Sequence, residues 1–167
     1  MKLKITILIF LNFFFYQNSI ANNIGYIDLN YIINNSASGK IIIDKLEKIN
    51  VENINLLKKE QSALNEEKDQ IEKTKNILSN DELNKKINIL NVEFEKFNQK
   101  QSVMSAEFNK LRQNEMKSFV NKINPIIEKF MIINNIDIIL YKESIYIGKT
   151  NYDITNQLIE FINQNIE

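Results

Sequence analysis

Few side chains in this sequence could support catalysis. The chain has no Cys and no His, which excludes a thiol nucleophile, a histidine base and a metal site with histidine ligands. A serine hydroxyl activated by a lysine amine remains possible, and Ser38 and Lys40 lie close together in the sequence. Both fall at the predicted start of a long helix, where a helix cap and a solvated first turn account for them. The pair therefore does not indicate an active site.

Two pairs of adjacent carboxylates are the other groups that could do chemistry. Glu66 and Glu67 are explained by a solvated helix face. Asp81 and Glu82 suit the N-terminus of a helix, where the helix dipole favours negative charge. We therefore predict that the protein is not an enzyme and that it binds no cofactor and no metal ion.

The first 21 residues have the pattern of a secretory signal peptide. Lys2 and Lys4 precede the apolar run ITILIFLNFFFY, and Ser19 and Ala21 are small residues at the two positions that a signal peptidase reads. We predict cleavage after Ala21, a mature chain that begins near Asn22, and a location outside the cytosol.

An uncleaved membrane anchor is the alternative interpretation of this segment. It is less favoured because the apolar run is short for a bilayer and is interrupted by Asn12, Gln17 and Asn18. A lipid anchor on cysteine is excluded because the chain has no Cys, and for the same reason no disulfide supports the fold.

Composition and charge limit the possible partners. The chain has 167 residues, of which 44% are hydrophobic and 25% are charged, with one Pro. These values are typical of one folded domain. Removal of residues 1–21 would leave 19 basic and 21 acidic residues, a net charge of −2. Because nucleic-acid binding depends on clustered Lys and Arg, this balance indicates no DNA or RNA partner.

The two ends of the mature chain predict a small sheet and a terminal helix. Residues 24–29 read as a strand, and residues 136–141 and 144–148 read as a hairpin of two further strands. Turn and cap chemistry fills the segment NYIINNSASGK, in which Ser36 should cap the first long helix. Asp153 or Thr155 should cap a last helix whose apolar residues are Ile154, Leu158, Ile159 and Ile162.

The middle of the chain predicts a helical hairpin. A first helix over residues 37–78 should bury a narrow stripe of Leu57, Leu64, Ile71 and Leu78. Residues 79–82, SNDE, predict a reversal. The second helix then shows the spacing of a supercoiled seam through Leu83, Ile87, Leu90, Phe94, Phe97, Gln101, Met104, Phe108 and Leu111. Two long helices joined by a tight turn must run antiparallel, so each stripe should pack on the other.

Two features of the hairpin remain to be explained. Pro125 should kink the second helix or make it restart, before the helix ends near residue 134. Apolar residues off the seam would face outward on an isolated hairpin and should contact a partner. These candidates for partner contact are Leu56, Ile77, Ile89 and Val103.

The small sheet should also need a partner. Its strands are rich in Ile and Tyr, and one terminal helix cannot cover both faces. We therefore expect the protein to form an oligomer through the sheet, with the helical hairpins emerging together around a central space.

Three stretches of the sequence carry a resemblance to a known family. IGYIDLNYIINNSASGKIIIDKLEKI, NPIIEKF and IDIILYKESIYIGKTNYDITNQL resemble the corresponding parts of the Skp/OmpH family of periplasmic chaperones. The residues that mark the fold are Ser36, Gly39, Pro125, Asp153 and Thr155. The resemblance implies a periplasmic homotrimer whose helical arms enclose unfolded outer-membrane β-barrel proteins and prevent their aggregation without ATP.

The expected fold class is α+β. A β-rich trimerisation body would be formed by residues 22–35 and 136–167, and residues 36–135 would form a coiled-coil arm, in a jellyfish-like trimer. The arm would hold 17 basic and 15 acidic residues, so its net charge is only +2. So small an excess attracts an anionic surface weakly, and we do not expect lipopolysaccharide binding. A structural envelope spacer or adaptor that binds one folded partner remains the alternative function.

Overall fold

The computed structural model describes residues 23–165. The predicted signal peptide, residues 1–21, lies outside the described residues. Within these residues, two strands and four α-helices follow one another. Their order is β1 (Ile24–Ile27), α1 (Leu29–Asn35), α2 (Ala37–Thr74), α3 (Asn80–Asn134), β2 (Ile138–Tyr141) and α4 (Thr155–Asn165). The predicted combination of a small sheet with long helices is confirmed.

The sheet consists of two parallel strands rather than the predicted three. β1 pairs with β2 in a register that aligns Ile24 with Ile138 and Ile27 with Tyr141. The strand predicted at residues 144–148 is wrong, because Lys142–Ser144 form a 3₁₀ turn and Ile145 to Lys149 form no strand. The Ile and Tyr residues of this segment favour a strand only where a neighbouring strand offers a ladder, because β-propensity depends on context.

A short helix replaces the turn predicted after β1. β1 ends at Ile27, two residues earlier than predicted, and Asp28 caps α1 by accepting a hydrogen bond from the backbone N–H of Tyr31 at 2.8 Å. The Asn residues of this segment obscured the helix because Asn is common in turns. The apolar side chains of Ile32 and Ile33 are buried and anchor the helix.

Ser36 and Gly39 form a tight junction between α1 and α2. The Ser36 hydroxyl accepts a hydrogen bond from the Gly39 N–H at 3.2 Å, which is the predicted helix cap. A Cβ atom on Gly39 would lie 2.0 Å from the carbonyl oxygen of Ile33. Only glycine therefore lets the first turn of α2 approach the backbone of α1 this closely.

The hairpin turn begins earlier than predicted. α2 ends at Thr74 instead of residue 78, since the backbone N–H of Ile77 bonds to the carbonyl of Thr74 and closes a turn. α3 then starts with a capping box, in which the Ser79 hydroxyl and the Glu82 carboxylate each accept a hydrogen bond from the other residue's backbone N–H. The chain therefore reverses over residues 75–79, earlier than predicted, and Asp81 and Glu82 lie in the first turn of α3, where their charges suit the helix N-terminus.

α3 continues through Pro125 without a break, so the predicted restart is wrong. Proline removes one backbone hydrogen bond and its ring crowds the preceding turn, at a cost of about 3 kcal/mol in a helix interior. Ile123 and Phe130 are buried and Ile126 and Ile127 pack against the same core. We attribute the unbroken helix to this packing on both sides of the proline.

The main core lies where the helices meet the sheet, and we call it the base cluster. Its buried residues are Ile27, Ile32, Ile33, Phe119, Ile123, Phe130, Ile154, Leu158, Ile159 and Ile162. The last four lie on or beside α4, as its apolar pattern predicted. Since the cluster also contains residues of α3, the base of the hairpin and the sheet share one core.

Thr155 links α4 to the start of the chain. It is buried, and its hydroxyl accepts a hydrogen bond from the backbone N–H of Asp28 at 3.0 Å and donates one to the Asp153 carboxylate. Asp153 also accepts a hydrogen bond from the Thr155 N–H at 3.1 Å. Asp153 and Thr155, which the sequence marked as fold residues, therefore hold together the junction of β1, α1 and α4.

Candidate functional site

A second apolar cluster lies toward the tip of the hairpin, and we call it the tip cluster. Four of its residues are buried and three are partly buried. They are Leu64, Ile71, Leu90 and Phe97, with Leu57, Leu83 and Phe94 packed against them. The tip cluster therefore takes residues from both predicted stripes and holds α2 against α3.

The remaining residues of the predicted seam are less well covered. Met104, Phe108 and Leu111 are only half-buried and belong to neither cluster. Leu78 is half-buried in the turn that follows α2, and Ile87 is exposed. The seam is thus tightly packed near the tip and open farther down the arm.

The open part of the seam contains a solvent-accessible groove of about 620 Å³ between α2 and α3, which we call the mid-arm cleft. Its apolar lining includes the half-buried Leu57, Met104 and Phe108. Its polar lining includes the side chains of Asn53, Gln101 and Ser105, and none of the residues around it is charged. Of these features, the sequence pattern indicated only the polar seam position at Gln101.

The four residues predicted to face a partner are exposed. Their exposed fractions are 48% for Leu56, 83% for Ile77, 46% for Ile89 and 55% for Val103. Sequence reasoning did not single out several other exposed apolar side chains of the two arm helices. These are Ile41, Val51, Ile54, Val92, Ile132 and Ile133. Apolar side chains that water can reach are therefore scattered along the arm rather than gathered in one patch.

One face of the sheet is also uncovered. Because residues alternate between faces along a strand, Ile24 lies beside Ile138 and Tyr26 beside Leu140 on the face opposite Ile27. Ile24, Ile138 and Leu140 are exposed. Tyr146, in the segment after β2, is fully exposed as well.

Ion pairs across the arm share one register of the two helices. Lys45 pairs with Glu115 at 2.6 Å between Nζ and Oε1, and Lys100 pairs with Glu60. In each pair the two residue numbers add up to 160, as expected for antiparallel helices with a constant register. Exposed pairs of this kind contribute little to stability individually, but they agree on one alignment.

One contact in the same register joins two acids. Glu67 lies near Glu93, and desolvation together with the repulsion from Glu93 raises the pKa of Glu67, whereas Lys86 acts in the opposite direction. Elsewhere near the tip, hydrogen bonds from Ser79 lower the pKa of Glu82, and Lys75 lowers that of Glu72. The Glu67–Glu93 contact is therefore a weak point of the arm at neutral pH.

Replacing one acid of this contact should stabilise the arm. In Glu67→Lys an attraction to Glu93 replaces the repulsion, and Lys86 offsets part of the gain. We expect the free energy of unfolding at pH 7 to rise by a few tenths of a kcal/mol, the size typical of an exposed pair. Because the pKa of Glu67 is raised in the folded state, the repulsion in the natural chain exists above that pKa and is lost as the pH falls through it.

Urea titrations at pH 7 and at about pH 3.5, below the ordinary pKa of Glu, check this expectation. The gain should be present at pH 7 and absent at the lower pH. Glu66→Lys makes the same change of charge at the neighbouring exposed position and should give no comparable gain. Equal stability of Glu67→Lys and the natural chain at both pH values would contradict the assignment.

The groups considered for catalysis are not arranged for it. The Ser38 hydroxyl is buried and has no hydrogen-bond partner among residues 23–165, so no base contacts it there. In the same part of the chain, no three Asp or Glu residues gather into a group that could hold a metal ion. None of the helices that the structure describes is both long enough and apolar enough to cross a membrane.

These features define a class of protein in which a long antiparallel helical hairpin starts and ends at a small parallel sheet. The chain belongs to the OmpH-like family, because the model of that family, described as outer membrane protein (OmpH-like), matches residues 23–162. The predicted family is therefore confirmed. Membership of this family agrees with the expectation that the protein is not an enzyme.

A solved structure supports the same fold. It is the crystal structure of an OmpH-like protein from Caulobacter crescentus that has been provisionally described as an outer membrane chaperone. The two chains superpose with a TM-score of 0.76 at 17% sequence identity, over 91% of this chain and 92% of the other. No curated protein matches the sequence at a significant level.

Proposed function

We propose that the protein is an ATP-independent periplasmic chaperone that binds unfolded outer-membrane β-barrel proteins and prevents their aggregation. The observation that carries this proposal is membership of the OmpH-like family over residues 23–162. The provisional description of the Caulobacter crescentus structure as an outer membrane chaperone supports it.

The exposed apolar side chains of the arm suit such a function. An unfolded β-barrel chain exposes apolar segments that would otherwise pair with other chains. Many weak contacts with scattered side chains such as Leu56, Ile89 and Val103 can hold sequences of many kinds, because no shaped pocket has to be matched. The arm offers such contacts on both of its helices.

The uncovered sheet suits the proposed homotrimer. Ile24, Ile138, Leu140 and Tyr146 would lose their exposed apolar surface if the sheets of several copies packed together. The arms of the copies would then surround a common cavity for the client. In this proposal residues 22–35 and 136–167 form the body and residues 36–135 form the arm.

The remaining parts of the proposal follow from the sequence. A signal peptide cleaved after Ala21 would deliver the chain to the periplasm. The small positive excess of the arm makes lipopolysaccharide a poor ligand, so capture of clients should depend mainly on apolar contacts.

Light scattering tests the proposal directly. A urea-unfolded outer-membrane barrel protein is diluted into buffer with and without the mature chain, Asn22 to Glu167, at two salt concentrations. We expect the chain to suppress the rise in scattering, and to do so at high salt as well. Unchanged scattering in the presence of the folded, oligomeric chain would overturn the proposal and favour a spacer or adaptor with one folded partner.

Val103→Lys tests the role of the exposed apolar residues. Because Val103 is 55% exposed on α3, lysine should be accommodated without loss of helix, and client binding should weaken several-fold. The change is checked by scattering and by circular dichroism on the same sample. Loss of helix instead would show that Val103 is part of the core.

Asn114→Lys is the matched control for this variant. It adds the same charge at an exposed position of the same helix but removes no apolar side chain. It should suppress scattering as well as the natural chain does. An equal loss in both variants would assign the effect to charge and contradict a contribution from Val103.

A further inference from the structure

The mid-arm cleft differs from the rest of the arm in its charge. A quarter of all residues in the chain are charged, and ion pairs cross the arm near both ends of the cleft, at Lys45–Glu115 and at Glu60–Lys100. The lining of the cleft contains amide, hydroxyl and apolar side chains but no charged one. A charged group that bound in the cleft would give up part of its hydration against the half-buried Leu57, Met104 and Phe108 without gaining an opposite charge, which is unfavourable. The cleft therefore selects an uncharged occupant.

The polar side chains of the cleft are available to a ligand. Among the hydrogen bonds within residues 23–165, none is made by the side chains of Asn53, Gln101 or Ser105, whereas the charged residues on either side are paired across the arm. Each amide offers both a donor and an acceptor, and each hydroxyl does so too. Such groups match the alternating N–H and C=O groups of an extended backbone.

The dimensions of the cleft limit the length of the occupant. Its lining runs from Asn50 to Leu57 on α2 and from Asn98 to Asn109 on α3, which at about 1.5 Å per residue gives about 10 and 16 Å. An extended chain rises about 3.3 Å per residue, so about three to five residues fit. The volume of about 620 Å³ lies within the range of ordinary ligand sites.

We propose that the mid-arm cleft binds a short, extended and uncharged segment of the unfolded client. The apolar side chains of the segment would pack on Leu57, Met104 and Phe108, and its backbone would bond to Asn53, Gln101 and Ser105. This inference rests on the proposed function and adds a defined subsite to the scattered contacts of the arm. It rests on the absence of charged side chains from the lining of the cleft, which suits a client segment without charge.

The probe for this site is a fluorescently labelled, uncharged eight-residue peptide in which phenylalanine or leucine alternates with threonine or asparagine. Its binding to the mature chain is measured by fluorescence anisotropy. A second peptide carries one lysine at its centre. We expect the natural chain to bind the neutral peptide at least about tenfold more tightly than the lysine peptide, because the cleft offers the ammonium group no partner.

Two variants place a charge in the cleft, one on each helix. Asn53→Glu and Ser105→Glu should each weaken binding of the neutral peptide about tenfold. Both variants replace a residue by a better helix former, so loss of the arm is not expected. Ser105→Glu should bind the lysine peptide more tightly than the natural chain does. Ser118→Glu makes the same change at an exposed position of α3 outside the cleft and should leave both affinities unchanged.

The possible outcomes separate this inference from the proposed function. If the natural chain suppresses aggregation of the barrel protein but all variants bind both peptides equally, the subsite is wrong and the chaperone proposal stands. If the natural chain does not suppress aggregation, the proposed function itself fails. If Ser105→Glu alters the oligomeric state in analytical ultracentrifugation while Ser118→Glu does not, a second copy of the chain occupies the cleft and the peptide-site inference is overturned.

Discussion

Gly39→Ala is expected to lower the free energy of unfolding by at least about 3 kcal/mol, at the upper end of the usual cost of overpacking. The added Cβ atom would lie 2.0 Å from the carbonyl oxygen of Ile33 and 2.7 Å from its carbonyl carbon. Both contacts involve backbone rather than the end of a flexible side chain, so α1 and α2 would have to move apart. That movement would also disturb the Ser36 cap and the packing of Ile33 in the base cluster.

Gly148→Ala is the matched control. A Cβ atom at Gly148 would lie 3.4 Å from the nearest atoms, those of Ile145 and Tyr26, which is ordinary contact. This variant should be as stable as the natural chain or slightly more so, because alanine reduces the conformational freedom of the unfolded chain. Urea titrations followed by circular dichroism at one protein concentration compare the two. Equal stability of both variants would contradict the close approach at Gly39.

Phe119→Ala should cost about 3 to 5 kcal/mol, the usual range when a buried phenylalanine is truncated. Phe119 is only 1% exposed and lies on α3 within the base cluster. This cluster joins β1, α1, α3 and α4. The cavity left by alanine would therefore weaken the packing between all four elements. We expect cooperative loss of the whole base in a urea titration.

Phe97→Ala provides the comparison within the arm. Phe97 is also buried, but in the tip cluster, which holds only α2 and α3 together. Its truncation should loosen the tip while the base remains folded. Hydrogen exchange should then become faster only at the ends of α2 and α3 that form the tip. Faster exchange throughout the chain in both variants would show that the base and tip clusters do not unfold separately.

Much of the fold could be predicted from local signals in the sequence. The seven-residue spacing of Leu57, Leu64 and Ile71 and the SNDE reversal were enough to define an antiparallel hairpin. The parallel pairing of β1 with β2 could not be predicted, because the partners lie far apart along the chain and no local pattern sets their register. The α1 helix was not predicted, although Asp28 is a residue type that often caps helices, because the segment that follows it is rich in Asn.

The candidate site was predicted less completely. Off-seam positions such as Leu56 and Val103 could be placed on the outside of the hairpin from helical periodicity alone. The mid-arm cleft could not, because it depends on how far two helices separate when the residues between them are too small or too polar to fill the space. In the sequence, the cleft is indicated only by Gln101, which is a polar residue in the predicted apolar seam of the second helix.

The pairing of Ile24 with Ile138 joins two segments that lie far apart along the chain, which bears on when the sheet can form during folding. The hairpin contacts are arranged around a tight turn and can form by local zipping, whereas the sheet requires closure of a loop of more than a hundred residues, which is entropically costly and slow. A hairpin that has already formed brings β1 and β2 to the same end and shortens that search. We therefore expect the hairpin to form first and the sheet to be completed after the two ends of the chain have met at its base.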